Sequence, residues 1–225
     1  MKKLLSIAVF AIFSATSALA ISPSIGVSYN HAGFAAEGIE KNFNETGGSA
    51  IHTEEYGAFA DQYGSVFVEL GLNDVLSIGL DYVPGDIETP TNSSKEGGSS
   101  ASGQDPGTST VSASFQGLTT LYLKANIPFL GGTYVKAGFS EVDVSVNESI
   151  ASGNTYQDVE TEGYLVGLGY NHDIAGGIAI RAEVTASAYS DVETNNGKSN
   201  SANRNEVHVT NMWGAKGTIS LVKSF

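Results

Sequence analysis

Lys216-Gly217-Thr218-Ile219-Ser220-Leu221-Val222-Lys223-Ser224-Phe225, the last ten residues, sets Ile219 and Leu221 against Thr218 and Ser220 and stops on an aromatic ring. A period of two is the signature of a strand with one apolar face. A terminal aromatic has little to do in a soluble strand. It has a use where the last strand of a closed barrel pairs with the first and its end lies at a membrane–water interface, where aromatic rings are favoured. Phe225 is therefore expected to serve as an assembly signal.

The opposite end supports the same reading. Met1-Lys2-Lys3 is basic, Leu4 to Phe13 is a short apolar core, and Ala18-Leu19-Ala20 supplies small residues before a cut. This is the pattern of an export signal over 1–20, leaving 21–225 as one outer-membrane domain. No later stretch holds the ~20 continuously apolar residues that a spanning helix needs. The chain has no cysteine, so disulfides and thiol chemistry are excluded. A mean hydropathy of −0.04 is compatible with a membrane barrel, because lumen and lipid-facing residues alternate and cancel. Loss of Lys2 and Lys3 would change the charge from 11 − 24 = −13 to 9 − 24 = −15, with no basic patch, which argues against nucleic acid as a partner.

Seven further segments alternate in the same way. Ile25, Val27 and Tyr29 mark the first. Val66, Val68, Leu70 and Leu72 mark the second, and Leu76, Ile78, Leu80 and Tyr82 the third. The fourth, about Thr110 to Ile127, reads outward through Val111, Ala113, Phe115, Gly117, Thr119, Leu121, Leu123 and Ala125. Val135, Ala137 and Phe139 define the fifth, and Tyr164, Val166, Leu168 and Tyr170 the sixth. Ile178 to Ala188 is the seventh. In the eighth, Val207, Val209 and Trp213 read outward, and His208, Thr210 and Lys216 inward.

Short turns follow the second, fourth and sixth segments. Long polar links cover 32–63, 84–109, 141–162 and 190–205. This alternation of short periplasmic turns and long extracellular loops predicts an all-β, antiparallel, up-and-down transmembrane barrel of eight strands. A ten-stranded version follows if 32–63 contributes an extra hairpin.

The alternation, the Ile178-Ala179-Ile180-Arg181-Ala182-Glu183-Val184 strand and the terminal Ser220-Leu221-Val222-Lys223-Ser224-Phe225 resemble the small OmpX/OmpA-type, opacity-like outer-membrane barrels. That family carries an aromatic or apolar residue two places before its final Phe, where this chain has Lys223. The resemblance implies location in the bacterial outer membrane, lipid and lipopolysaccharide as surroundings, and the barrel assembly machinery as a partner. It implies a structural, adhesive or narrow-channel role without choosing among them.

Inward parity collects Glu69, Asp81, Lys124, Lys136, Arg181, Glu183 and Lys216. An eight-stranded barrel is only wide enough for side chains to fill, so these charges are expected to pair and plug the lumen, with a narrow pore for water, ions or small solutes as the alternative. Outward parity beyond the aromatic ends of the fifth and sixth segments collects Glu141, Asp143, Asp158, Glu160 and Glu162. Oxygen ligands of this kind suit a weak Ca²⁺- or Mg²⁺-bridged contact with lipopolysaccharide rather than a dedicated metal site. No cofactor motif is present, and His208 with Glu206 and Thr210 is the single grouping that suggests a lipid-modifying rim enzyme, without a hydrolase motif to support it. The sequence thus predicts a non-enzymatic, monomeric barrel with a structural or surface-interaction role.

Overall fold

The computed structural model describes residues 22–42, 51–96, 107–149, 155–197 and 204–225. The export signal expected over 1–20 lies outside them. The strands are β1 (Ser22–Asn42), β2 (Ile51–Gly71), β3 (Leu76–Tyr82), β4 (Ile87–Glu88), β5 (Asn92–Glu96), β6 (Gly107–Asn126), β7 (Thr133–Ser149), β8 (Val159–Ala175), β9 (Ile178–Tyr189), β10 (Val192–Asn195) and β11 (Asn205–Ser224). Each neighbour pair is antiparallel, and β11 closes on β1, so the wall runs β1-β2-β3-β6-β7-β8-β9-β11 and back. That is the ring of eight. Segments β4 and β5 continue the line of β3 along β6, and β10 continues the line of β9 along β11.

The described residues 32–42 and 51–63 add no hairpin to the ring. They lengthen β1 and β2, which stay paired in one register from Ser22↔Gly71 to Asn42↔Ile51. The described parts of the other regions read as loops also contain strands, and β1, β2, β6 and β11 rise well past the 9–11 residues per strand that a bilayer demands. Polar composition hid these strands, because a ribbon outside the membrane shows water-facing residues on its outer face.

The register fixes the barrel's geometry. Following directly opposed residues around the ring leads from Ile25 through Val68, Leu80, Leu121, Phe139, Tyr164, Ala188 and Trp213 to Ala35, ten residues further along β1. A stagger of this size goes with strands tilted by roughly 35–45° and a lumen that side chains can fill.

The turns at one end are short for local reasons. Asn73 Oδ1 accepts the N–H groups of Val75 and Leu76, both at 2.8 Å, and closes the β2–β3 turn. Pro128–Leu130 forms one 3-10 turn between β6 and β7. Gly176 and Gly177, at φ 60° and 74°, make the two-residue β8–β9 hairpin, a backbone that glycine adopts without penalty.

Two irregularities change which face each residue takes. In β6 the register shifts between Gln116 and Thr119, at Gly117 with φ 64°. In β11 it shifts between Thr210 and Trp213, opposite Glu37 and Ala35, where Asn211 has φ 51°. Both are β-bulges, and each flips the alternation beyond it. Phe115 and Ala113, read as outward, point inward above the first bulge. Val209 points inward above the second, while His208 and Thr210 share the outer face with Glu37. A regular period of two carried through both positions cannot anticipate this.

Candidate functional site

Inside the wall, three levels follow one another. The lowest is charged. Glu69 on β2 accepts from Arg181 Nη1 at 3.0 Å and Nη2 at 3.3 Å on β9, from Tyr122 Oη at 3.1 Å, and from Lys124 on β6. Beside it, Glu183 accepts from Lys136 Nζ at 2.9 Å, Tyr134 Oη at 2.7 Å and Thr185 Oγ1 at 3.3 Å. The Arg181 guanidinium lies against the rings of Phe67 (5.2 Å) and Tyr134 (5.3 Å), and Lys136 lies 4.2 Å from the Tyr122 ring centre. Planar cations on aromatic faces keep part of their electrostatic stabilisation when removed from water. Glu69, Lys124, Arg181 and Glu183 are all buried.

The rings reach this position because they lie over glycines. Gly26 faces Phe67, Gly79 faces Tyr122, Gly169 faces Tyr134 and Gly163 faces Tyr189, each directly across a strand pair. A Cβ at any of the four would collide with the ring opposite. Each ring therefore lies flat across the lumen, which lets Tyr122 and Tyr134 reach Glu69 and Glu183.

The second level is polar. Asn30 accepts from Thr218 Oγ1 at 2.8 Å and donates to Ser65 Oγ at 3.1 Å, and Ser65 donates to Asp81 at 3.1 Å. Thr120 and Ser140 close the ring at 2.8 Å. The structure places Glu69, Lys124, Lys136, Arg181 and Glu183 in direct ion pairs, with Asp81 and Lys216 on the level above them.

The third level is apolar and was missed by the sequence reading. Ala32, Tyr63, Val83, Ile87, Leu118 and Val142 form a buried cluster. On it stack Phe34, Phe59 and Phe115, with centroid separations of 5.2, 6.0 and 6.5 Å. A signal was available in β7. Its apolar residues are odd through Val135, Ala137 and Phe139, then even through Val142, Val144 and Val146, while Glu141 and Asp143 take over the outer face.

The outer face carries the complementary pattern. Val27, Tyr29, Val66, Leu121, Leu123, Tyr164, Val166, Leu168, Val184, Ile219 and Leu221 are exposed and surround the charged level. Exposed apolar residues around a charged interior, on a closed ring without sheet edges, define an integral β-barrel of the bacterial outer membrane. Past Tyr29, Phe139 and Tyr164 the outward residues become His31, Glu141 and Glu162, so the belt ends there.

At that boundary Glu141 directly opposes Glu162, and Asp143 opposes Glu160. Like charges in opposed positions repel. Asp158 stands just outside this ladder and accepts the Val146 N–H at 3.1 Å. One strand further round the wall, Glu193, Glu206 and His208 cluster on the outer face, with Glu206 buried among them. Lys41 Nζ lies 3.1 Å from His208 Nε2 and supplies a positive charge there already. His208, which the sequence placed inward with Thr210, faces outward because of the bulge. At the closing seam, the Phe225 N–H donates to Pro23 O at 3.0 Å and Lys223 Nζ to Gly176 O at 2.6 Å.

No family model matches the chain, and no curated protein matches it in sequence. Among solved structures, the chain is similar to the outer membrane protein AlkL (12% identity, 90% of each chain covered, TM-score 0.46). It is also similar to the outer membrane protease OmpT of Escherichia coli (12% identity, 90% of this chain and 97% of that one, TM-score 0.46). The outer membrane protein OprG of Pseudomonas aeruginosa aligns at 13% identity over 88% of this chain and 95% of that one, with a TM-score of 0.45.

Proposed function

We propose that the chain is a closed, non-conducting barrel whose role lies in surface interaction through the ribbon it raises above the membrane. The observation that carries this reading is the lumen itself. Two ion-paired clusters, contributed by β2, β6, β7 and β9, and the rings laid over glycines fill its cross-section within the apolar belt. Buried charges that have each found partners form a rigid obstruction rather than a hydrated path. The opposed carboxylates outside the belt support, within the same reading, a weak Ca²⁺- or Mg²⁺-bridged contact with lipopolysaccharide.

In a planar bilayer the wild-type barrel is expected to be electrically silent, and Lys136→Gly/Arg181→Gly, which removes two plug cations, to show steady openings. Steady openings of the wild type would replace the plug with the narrow-pore reading. Assembly is a separate expectation. Deleting Phe225 removes the Pro23 contact at the seam, and the heat-modifiable, folded fraction in outer membranes should fall severalfold. An unchanged folded fraction would remove Phe225 from that role.

A further inference from the structure

Above the plug and the polar ring, the lumen opens into a cavity of about 420 Å³. Every rib of the wall contributes to it, among them Phe34, Phe59, Phe115, Val144, Val209 and Met212. Among the described residues, no Asp, Glu, Lys, Arg or His lines it. Its polar groups are engaged or peripheral. Thr89 Oγ1 accepts the Ala113 N–H at 2.8 Å, Thr161 Oγ1 donates to Ser190 O at 2.9 Å, Tyr189 bonds Ser187, and Asn92 stands exposed at the rim. A volume of a few hundred Å³ with an apolar and aromatic lining is the usual setting for a small ligand.

The position of this cavity is unusual. It lies where the outer surface has already become polar, in the ribbon beyond the belt. A mere spacer there could be lined with polar residues. Instead both bulges turn apolar side chains inward: Phe115 in β6, and Val209 in β11. The Phe34, Phe59 and Phe115 rings lie within 26° of parallel, presenting flat hydrocarbon faces at one side of the space.

We propose that this cavity is a binding site for a small, uncharged, apolar or aromatic molecule taken up from the outer medium. An anion or cation entering it would lose its hydration with no group available to replace it. A neutral hydrocarbon loses nothing and buries its surface against the aromatic trio. The site lies above the plug, so its occupancy does not depend on whether the lumen conducts. A conductance result and a binding result can therefore fail separately.

Trp213, the single tryptophan of the chain, is 56% exposed on the outer face, so the reporter of occupancy is placed inside instead, as Phe115→Trp in a Trp213→Phe background. The full barrel in phosphatidylcholine nanodiscs is titrated with bromobenzene, which quenches indole on contact, and with 4-bromobenzoate as the charged counterpart. The expected result is a saturable phase for bromobenzene and none for the benzoate. Ala113→Phe fills the cavity from β6 and should weaken that phase at least tenfold. Should that variant not fold by heat-modifiability, Phe59→Asn, which places an amide in the stack, should do the same. Quenching of the internal indole that is linear in bromobenzene and equal with and without Ala113→Phe, as simple partition into lipid would give, overturns the proposal. So does an equal saturable phase with the benzoate. Saturable quenching by phosphatidylcholine with brominated acyl chains, abolished by Ala113→Phe, would assign the cavity to a lipid tail and overturn it as well.

Discussion

Glu69→Ala should lower the unfolding free energy in lipid vesicles by about 3–5 kcal/mol, the range found when one partner of a buried ion pair is removed. Its carboxylate bonds Lys124, Arg181 and Tyr122 at once. Truncation leaves two buried cations and a phenol facing an apolar methyl group. The loss should exceed that of Glu183→Ala, which strands one direct cation, Lys136. A triple replacement separates the cost of orphaned charges from the worth of the network. Glu69→Leu/Lys124→Leu/Arg181→Leu should recover much of the loss, because matched apolar groups in place of a buried network are often neutral. Urea unfolding of the reconstituted barrel measures all three. A Glu69→Ala loss under about 1 kcal/mol, the scale of solvated pairs, would mean that water reaches the cluster and that it is not a plug.

Deleting Asn211 should have an equally large effect, confined to the outer ribbon. Its residue occupies the bulge at φ 51°, and its amide donates to Glu37 at 2.8 Å. Without it, β11 can keep its pairing in the belt only by shifting one residue above it. That shift turns Val207 and Val209 to water and drives Glu206, His208 and Thr210 into the apolar cavity. Far more rapid trypsin cleavage above the belt is expected, with a protected membrane fragment that remains heat-modifiable, and with loss of the saturable quenching of an indole at position 115. Asn211→Gly keeps the backbone conformation and should resemble wild type in all three. Wild-type protease resistance of the deletion would show that the bulge does not set the parity of the ribbon.

The membrane half of this fold was legible because lipid imposes one rule on every strand. Where Val66, Val68 and Leu70 alternate with Phe67 and Glu69, no other face assignment satisfies both the bilayer and the lumen. All seven lumen charges could be identified by parity alone. Outside the belt that rule lapses. In β1 the outward residues pass from Tyr29 to His31 and the inward ones from Asn30 to Ala32 and Phe34, so the apolar set changes face within one uninterrupted strand. In β6 and β11 the bulges add a further inversion that only Gly117 and Asn211 mark, and neither residue type is specific enough to place a bulge unaided. The cavity was hidden for the same reason, since its lining comes from the residues beyond these changes of phase.

Three of the four rings that lie on glycines also act as keys for strand alignment. Sliding one strand by two residues preserves every inward and outward assignment, so lipid and lumen alone do not forbid it. The keys do. After such a slip at β1–β2, β3–β6 or β8–β9, the ring of Phe67, Tyr122 or Tyr189 would have to lie on a neighbour that carries a side chain, whereas Tyr134 at β7–β8 meets Asn171 one way and Gly167 the other. Bulges pin two more seams, β6–β7 and β1–β11, so five of the eight seams accept only one alignment. A closed wall multiplies that selectivity, because an error at any seam must be repaid around the whole circumference before β11 can meet β1.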